Sequence, residues 1–222
     1  MGGNVMRGVP VTPADPTRVL FVDDDPDWHV GLQEFFRHNP EVELVACTAA
    51  VAKARAILAS IPIDVVLLDV MLGDHSPSGV EAAADIHLAF PHMRIIMFSS
   101  LDSDDATFNE AFLNGAYDYI YKYELEQLPA VIKAAAQNRR SKYGERLRAL
   151  MLERKRELLQ DADRDLLALL AAGHSQQEIA AMAHLSEDAV KKRVSRLRKR
   201  FGWQRSTREL AERCRLWGML EG

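Results

Sequence analysis

The sequence predicts an α/β fold, a five-stranded parallel sheet covered by helices on both faces, followed by a small all-α domain. Three observations predict it. Five short β-type runs alternate with five helical stretches in the first 138 residues, and that alternation gives way to charged helix formers at Asn138. The charge balance reverses at the same place: residues 1–138 carry 8 Lys and Arg against 20 Asp and Glu, and residues 139–222 carry 20 against 12. An acidic half joined to a basic half implies two domains with different partners, the basic one suited to a polyanion.

Residues 1–17 hold Gly2, Gly3, Pro10, Pro13 and Pro16 with little periodicity and are expected to be a mobile lead-in. The strand candidates are Arg18–Val22, Val42–Cys47, Val65–Leu68, Ile95–Phe98 and Tyr117–Tyr121. The helix candidates between and after them are Trp28–Arg37, Ala49–Ala59, Val80–Phe90, Asp104–Leu113 and Leu125–Ala136. Parallel sheets of this kind carry their reactive loops at the carboxyl ends of the strands. Residues 139–160 are charged helix formers, expected as a helical linker, and four short helices with no strand are expected over 161–222.

Composition excludes several classes. With 222 residues, 48% hydrophobic and 27% charged, the chain has the make-up of a soluble globular protein and not of a disordered, collagenous or disulfide-stapled one. The longest apolar run, Leu166–Ala172, is far short of the ~20 residues a membrane span needs. Residues 1–17 contain no apolar core of a signal peptide. Cys47 and Cys214 are far apart, without CxxC spacing, and read as ordinary thiols. A cytoplasmic protein without a membrane partner is the expectation.

The unusual residues fall at the strand ends. Asp23, Asp24 and Asp25 follow the first strand, Asp69 closes the third, Ser99 and Ser100 end the fourth, and Lys122 ends the fifth. A buried parallel strand ending in a carboxylate calls for a balancing charge, which a hard divalent cation such as Mg²⁺ would supply through oxygen ligands. Carboxylates, a hydroxyl and an ammonium at one sheet edge suit phosphoryl transfer onto a carboxylate, with Asp69 as nucleophile and Lys122 offsetting phosphoryl charge.

On VLFVDDDP, DVVLLDVML, IIMFSS and FLNGAYDYIYK, residues 18–138 resemble the receiver domain of two-component response regulators. The resemblance implies a doubly wound, flavodoxin-like sheet of strand order 2-1-3-4-5. It makes Asp69 the phosphoacceptor and gives Mg²⁺ to Asp24 and Asp69 directly, to Asp23 through water and to the main-chain oxygen of Met71. It assigns the phosphate-following hydroxyl to Ser99, the aromatic that moves with it to Tyr119 and the invariant cation to Lys122. Two departures stand out. Gly73 replaces the usual proline, and the next loop, GDHSPSG, reaches its glycine at Gly79, two residues late. Counting back from Lys122 selects Ser100 as the switch; the small residue that follows Ser99 favours Ser99. Met71 and Leu101 would flank the approach of a hydrolytic water, so slow autodephosphorylation is expected.

In the basic half, Gly173 marks a helix end, Ser175-Gln-Gln-Glu178 is a capping box, and Ser186 caps a further helix led by Glu187 and Asp188. The short helix, tight turn and longer helix form a helix-turn-helix pattern. Val190, Val194, Leu197 and Phe201 recur at helical spacing as one apolar face. Lys191, Lys192, Ser195, Arg196 and Lys199 occupy the opposite side and its flanks, a surface suited to the DNA major groove. Asp161–Met219 resembles the LuxR-type helix-turn-helix of NarL/FixJ-class regulators. In that family the last helix, about Thr207–Trp217, is a dimer contact on DNA. QDADRDLL lacks the usual glutamate, and His184 replaces the glycine of the turn, where histidine tolerates positive φ better than most residues.

The reading is a response regulator phosphorylated at Asp69 by a cognate histidine kinase, which then binds double-stranded DNA as a homodimer. It would be no enzyme beyond its own phosphorylation and dephosphorylation. The alternatives are an atypical regulator that binds DNA without phosphorylation and a phosphotransfer or adaptor protein.

Overall fold

The computed structural model describes residues 15–73, 78–100, 105–137, 144–157, 159–201, 203 and 206–220. Most of the expected lead-in, Leu101, and Asp74–Pro77 of the long loop lie outside the described residues.

The first part alternates β1 (Thr17–Val22), α1 (Pro26–Phe36), β2 (Val42–Thr48), α2 (Val51–Ser60), β3 (Val65–Asp69), α3 (Gly79–Ala89), β4 (Arg94–Ser99), α4 (Asp105–Leu113), β5 (Ala116–Tyr121) and α5 (Leu128–Ala136). All neighbouring strands are parallel, in the order β2-β1-β3-β4-β5. The expected α/β sheet is what is seen. The strand pattern explains why it is covered on both sides. Leu20, Val22, Val66, Leu68, Ile95 and Met97 point into one core with Ala54 of α2, Ala82 and Ile86 of α3 and Phe112 of α4. Their strand neighbours Val19, Phe21, Val65, Leu67, Ile96 and Phe98 point into a second core with Leu32 and Phe36 of α1 and Leu128 and Ile132 of α5. The two-residue period of a strand thus divides one apolar run between two helical layers.

One helix starts later than its pattern predicted. Lys122–Gln127 forms a short 3-10 helix, and the α-helix begins only at Leu128, with Pro129 in its first turn. Proline lacks the N–H that a helix interior needs and is accommodated at the start.

The remainder is helical: α6 (Gly144–Glu157), α7 (Asp161–Ala171), α8 (Gln176–Met182), α9 (Glu187–Arg200) and α10 (Thr207–Leu216). A third core joins Leu166, Leu167 and Leu170 of α7, Ile179 of α8, Val190, Val194 and Leu197 of α9, and Leu210 and Cys214 of α10. Burial pushes the Cys214 thiol up to about 12, so it packs as a small apolar group. The capping signals are used as read. Ser175 Oγ accepts from Glu178 N at 3.2 Å while Glu178 accepts from Ser175 N at 2.7 Å, and Ser186 Oγ accepts from Ala189 N at 3.2 Å. Gly173 has φ 98° and His184 φ 53°, the left-handed turns expected at both places.

The two halves are docked. Leu147 of α6 packs against the sheet core and Leu152 against the helical core. Arg213 of α10, only 3% exposed, donates to Asn114 Oδ1 after α4 at 3.1 Å, and to Glu81 O and Asp85 Oδ1 of α3 at 3.3 and 3.4 Å. Asn114 in turn donates to Val80 O at 3.2 Å, which fixes the amide that receives the guanidinium.

Candidate phosphorylation site and basic helix

In this sheet order the winding direction reverses between β1 and β3, so the loops leaving those strands diverge and open a crevice. Asp23, Asp24 and Asp25 leave β1 there, and Asp69 is the last residue of β3. The carboxylates of Asp23, Asp24 and Asp69 offer oxygens all within 4.8 Å of one another. Lys122 Nζ lies 2.9 Å from Asp23 Oδ2 and 3.0 Å from Asp69 Oδ1. Met71 N donates to Asp69 Oδ2 at 2.8 Å, and Asp25 N donates to Asp23 Oδ1 at 2.9 Å. A cavity of about 460 Å³ is lined by these groups with Met71, Ser99, Ser100 and Thr107.

Asp69 is 4% exposed, and burial beside Asp23 pushes its carboxyl up to about 6 despite Lys122. It is therefore still mostly ionised at neutral pH. Burial alone would lower the Lys122 ammonium, but hydrogen bonds to Asp23 and Asp69 outweigh it and raise it above its ordinary value. Three carboxylates face one ammonium, so negative charge is in excess. An all-oxygen donor set with that excess fits a hard divalent cation.

The sequence-predicted residues divide as follows. Asp23, Asp24, Asp69, Met71, Ser99 and Lys122 line this one cavity. Ser99 is buried at the end of β4, one step beyond the Asp69–Phe98 pair, and its Oγ donates to Ser100 O at 2.8 Å. Ser100 is exposed. Tyr119 is not on the cavity; its ring is buried against Phe108 of α4 and Tyr121. Met71 is 74% exposed at the rim.

Gly73 adopts φ 48°, a conformation proline cannot reach. Gly79 answers the delayed glycine. Its N–H donates to Val70 O at 2.9 Å, and a Cβ there would lie 1.7 Å from Asp69 O. Only glycine lets α3 begin against the peptide of Asp69.

Sequence reasoning passed over Trp28, His29 and Thr107. Asp25 caps α1 by accepting from Asp27 N at 2.9 Å, with Pro26 in the first turn. That turn sets His29 Nε2 2.7 Å from Asp23 O and the Trp28 ring 5.0 Å from Lys122 Nζ. The signal available was their position one turn after the acidic triplet.

A family model described as the response regulator receiver domain matches residues 19–133. The chain belongs to the response regulator family. It is 32% identical over 199 residues to the DNA-binding transcriptional activator DevR/DosR of Mycobacterium tuberculosis, covering 86% of this chain and 90% of that relative. A two-component response regulator of the LuxR family from Aurantimonas sp. SI85-9A1 superposes with a TM-score of 0.51 at 28% identity, over 59% of this chain and 94% of that one. The RcsB response regulator of Salmonella typhimurium is similar in fold over 93% of this chain and 99% of its own, with a TM-score of 0.52 at 17% identity. These relatives are response regulators and transcription factors, not classical enzymes. Among the described residues of this response regulator, no helix is long and apolar enough to cross a membrane.

On the response regulator's basic helix, α9, Val190, Val194, Leu197 and Phe201 are buried as the spacing required. Lys191, Lys192, Ser195, Arg196 and Lys199 are all exposed. Arg193 and Arg200 are engaged instead with Asp163 of α7, at 3.3 and 3.0 Å. Asp163, in the segment QDADRDLL, is 4% exposed.

Proposed function

We propose that this chain is a phosphorylation-controlled DNA-binding regulator, with Asp69 accepting a phosphoryl group from a sensor histidine kinase. The observation that carries the reading is the Lys122 ammonium held between Asp23 and Asp69 at the sheet's carboxyl edge. A carboxylate oxygen of Asp69 attacks the donor phosphorus; the new P–O bond forms as the donor P–N bond breaks, and the imidazole leaves with the bonding pair. Lys122 faces the charge that gathers on the phosphoryl oxygens. Asp24, Asp69 and the Met71 main-chain oxygen would hold Mg²⁺, with Asp23 acting through water. The ion supplies charge neutralisation and orientation of the phosphoryl group.

Ser99 is the hydroxyl within reach of an added phosphoryl group, favoured over Ser100 by its burial at the end of β4. Tyr119, between Phe108 and Tyr121, would relay that movement to α4. The exposed set Lys191, Lys192, Ser195, Arg196 and Lys199 would meet phosphates and base edges in the major groove, and two copies would read half-sites about 10–10.5 bp apart. Met71 at the rim supports slow loss of the phosphoryl group, because apolar bulk there obstructs water.

The test is intact mass after incubation with a small-molecule phosphodonor, with and without Mg²⁺. The expected result is a Mg²⁺-dependent gain of one phosphoryl group that Asp69→Asn abolishes, with tighter DNA binding by the phosphorylated form. A folded protein that gains nothing in Mg²⁺ overturns the phosphorylation reading.

A further inference from the structure

We propose that Trp28 is a positioning residue for phosphoryl transfer, acting as an aromatic floor that holds the Lys122 ammonium in line with Asp69. This rests on the reading of Asp69 as the acceptor. Lys122 Nζ is paired on one side with Asp23 and Asp69. On another it stands 5.0 Å from the Trp28 ring centroid and 5.8 Å from that of Phe98, within the range of cation–π attraction. Trp28 meets Phe98 edge-on, 5.3 Å apart at 86°, and Phe98 meets Phe21 in the same way at 6.1 Å, so the floor continues into the sheet core.

The floor is built from the acidic loop itself. Pro26 and the Asp25 cap start α1 at a fixed point, and His29 binds the main-chain oxygen of Asp23. The Trp28 ring is thus tied to the same backbone that carries Asp23. Its attraction for a cation also differs in kind from a hydrogen bond. A carboxylate oxygen holds an ammonium at one point, whereas a ring face attracts it over an area. Lys122 can therefore turn from the Asp69 carboxylate towards a phosphoryl oxygen while keeping its aromatic partner and without admitting water beneath it. An aliphatic side chain at position 28 would exclude water but would offer the cation nothing.

The experiment uses the full chain with saturating Mg²⁺ and a small-molecule phosphodonor, following the maximal rate of phosphoryl incorporation. Trp28→Leu is expected to lower that rate about three- to thirtyfold, the span a desolvated cation–π contact supports. Trp28→Phe should recover most of the loss, and the Mg²⁺ concentration for half-saturation should not move in either variant. In a Lys122→Met background, Trp28→Leu should add no further loss, because the ring acts through the ammonium. Independently of phosphorylation, the ε-methylene protons of Lys122 should show a ring-current shift in NMR spectra that Trp28→Leu removes. An unchanged rate in Trp28→Leu overturns the proposal, as does an equal loss with and without Lys122, or a Lys122 resonance indifferent to Trp28. A wild-type chain that takes no phosphoryl group overturns the Asp69 reading, and the NMR comparison still decides whether Trp28 holds the ammonium.

Discussion

Asp163 and Lys122 solve the same problem with opposite signs: each is a buried charge held between two counter-charges from other elements. Removing such a centre strands its partners. Asp163→Asn should cost about 2–4 kcal/mol, less than a fully buried pair because Arg193 and Arg200 are each about one-third exposed. Urea denaturation followed through α7–α10 checks it; a loss below about 0.5 kcal/mol would make Asp163 a surface residue in energetic terms. At this scale the sequence was legible where a residue was out of place for its element. A carboxylate ending VVLLD and a lysine ending a β-run draw notice because strands of that kind are otherwise apolar. Trp28, His29 and Asp163 lie in helices where tryptophan, histidine and aspartate are unremarkable. For Trp28 and Asp163 the importance comes from partners far along the chain, Lys122 and Arg200, and the local signal was limited to the place of Trp28 and His29 one turn after the acidic triplet.

Elements were legible to the extent that periodicity specified them. The short apolar runs of β1, β3 and β4, alternating with helical stretches, and the i, i+4, i+7 face of α9 correspond to the observed cores. Boundaries set by backbone geometry were harder to read, as the late start of α5 shows. Gly79 is the case with a consequence for the site. Its place against Asp69 O means that the start of α3 and the end of β3 share one fixed contact. Gly79→Ala must push the two apart, at a cost of about 1–3 kcal/mol in stability. On the proposed reading of Asp69, its displacement should slow phosphoryl uptake about ten- to a hundredfold. Thermal unfolding and the mass assay measure the two effects. An unchanged rate in a destabilised protein would separate the helix start from the position of Asp69.

For the whole molecule, the reversal of charge balance near Asn138 announced two domains but not how they sit. Beside the packing of α6, docking uses a few polar groups, chiefly Arg213 reaching Asn114, Glu81 and Asp85, and one of three arginines in TRELAERCRL looks like any basic residue of an amphipathic helix. Arg213→Ala should weaken docking by about 1–3 kcal/mol, because the buried Asn114 loses its charged partner while Asp85, about one-third exposed, is partly solvated. Small-angle scattering should register a larger radius of gyration, and amide exchange should quicken in α3 and α10 while β1 and β3 stay protected. An unchanged radius would mean that α6 alone holds the halves together. The Asp163 clamp reaches further than the core it stabilises. Arg193 and Arg200 are already paired inside the protein, and the exposed cations of α9 that face outward are Lys191, Lys192, Arg196 and Lys199. The logarithm of DNA affinity should then fall with the logarithm of ionic strength with a slope of about −3 to −4 per helix, against about −6 for all seven cations. By keeping two arginines for itself, the fold makes this helix a weaker general polyanion binder, and on the proposed reading leaves more of its discrimination to contacts with base edges.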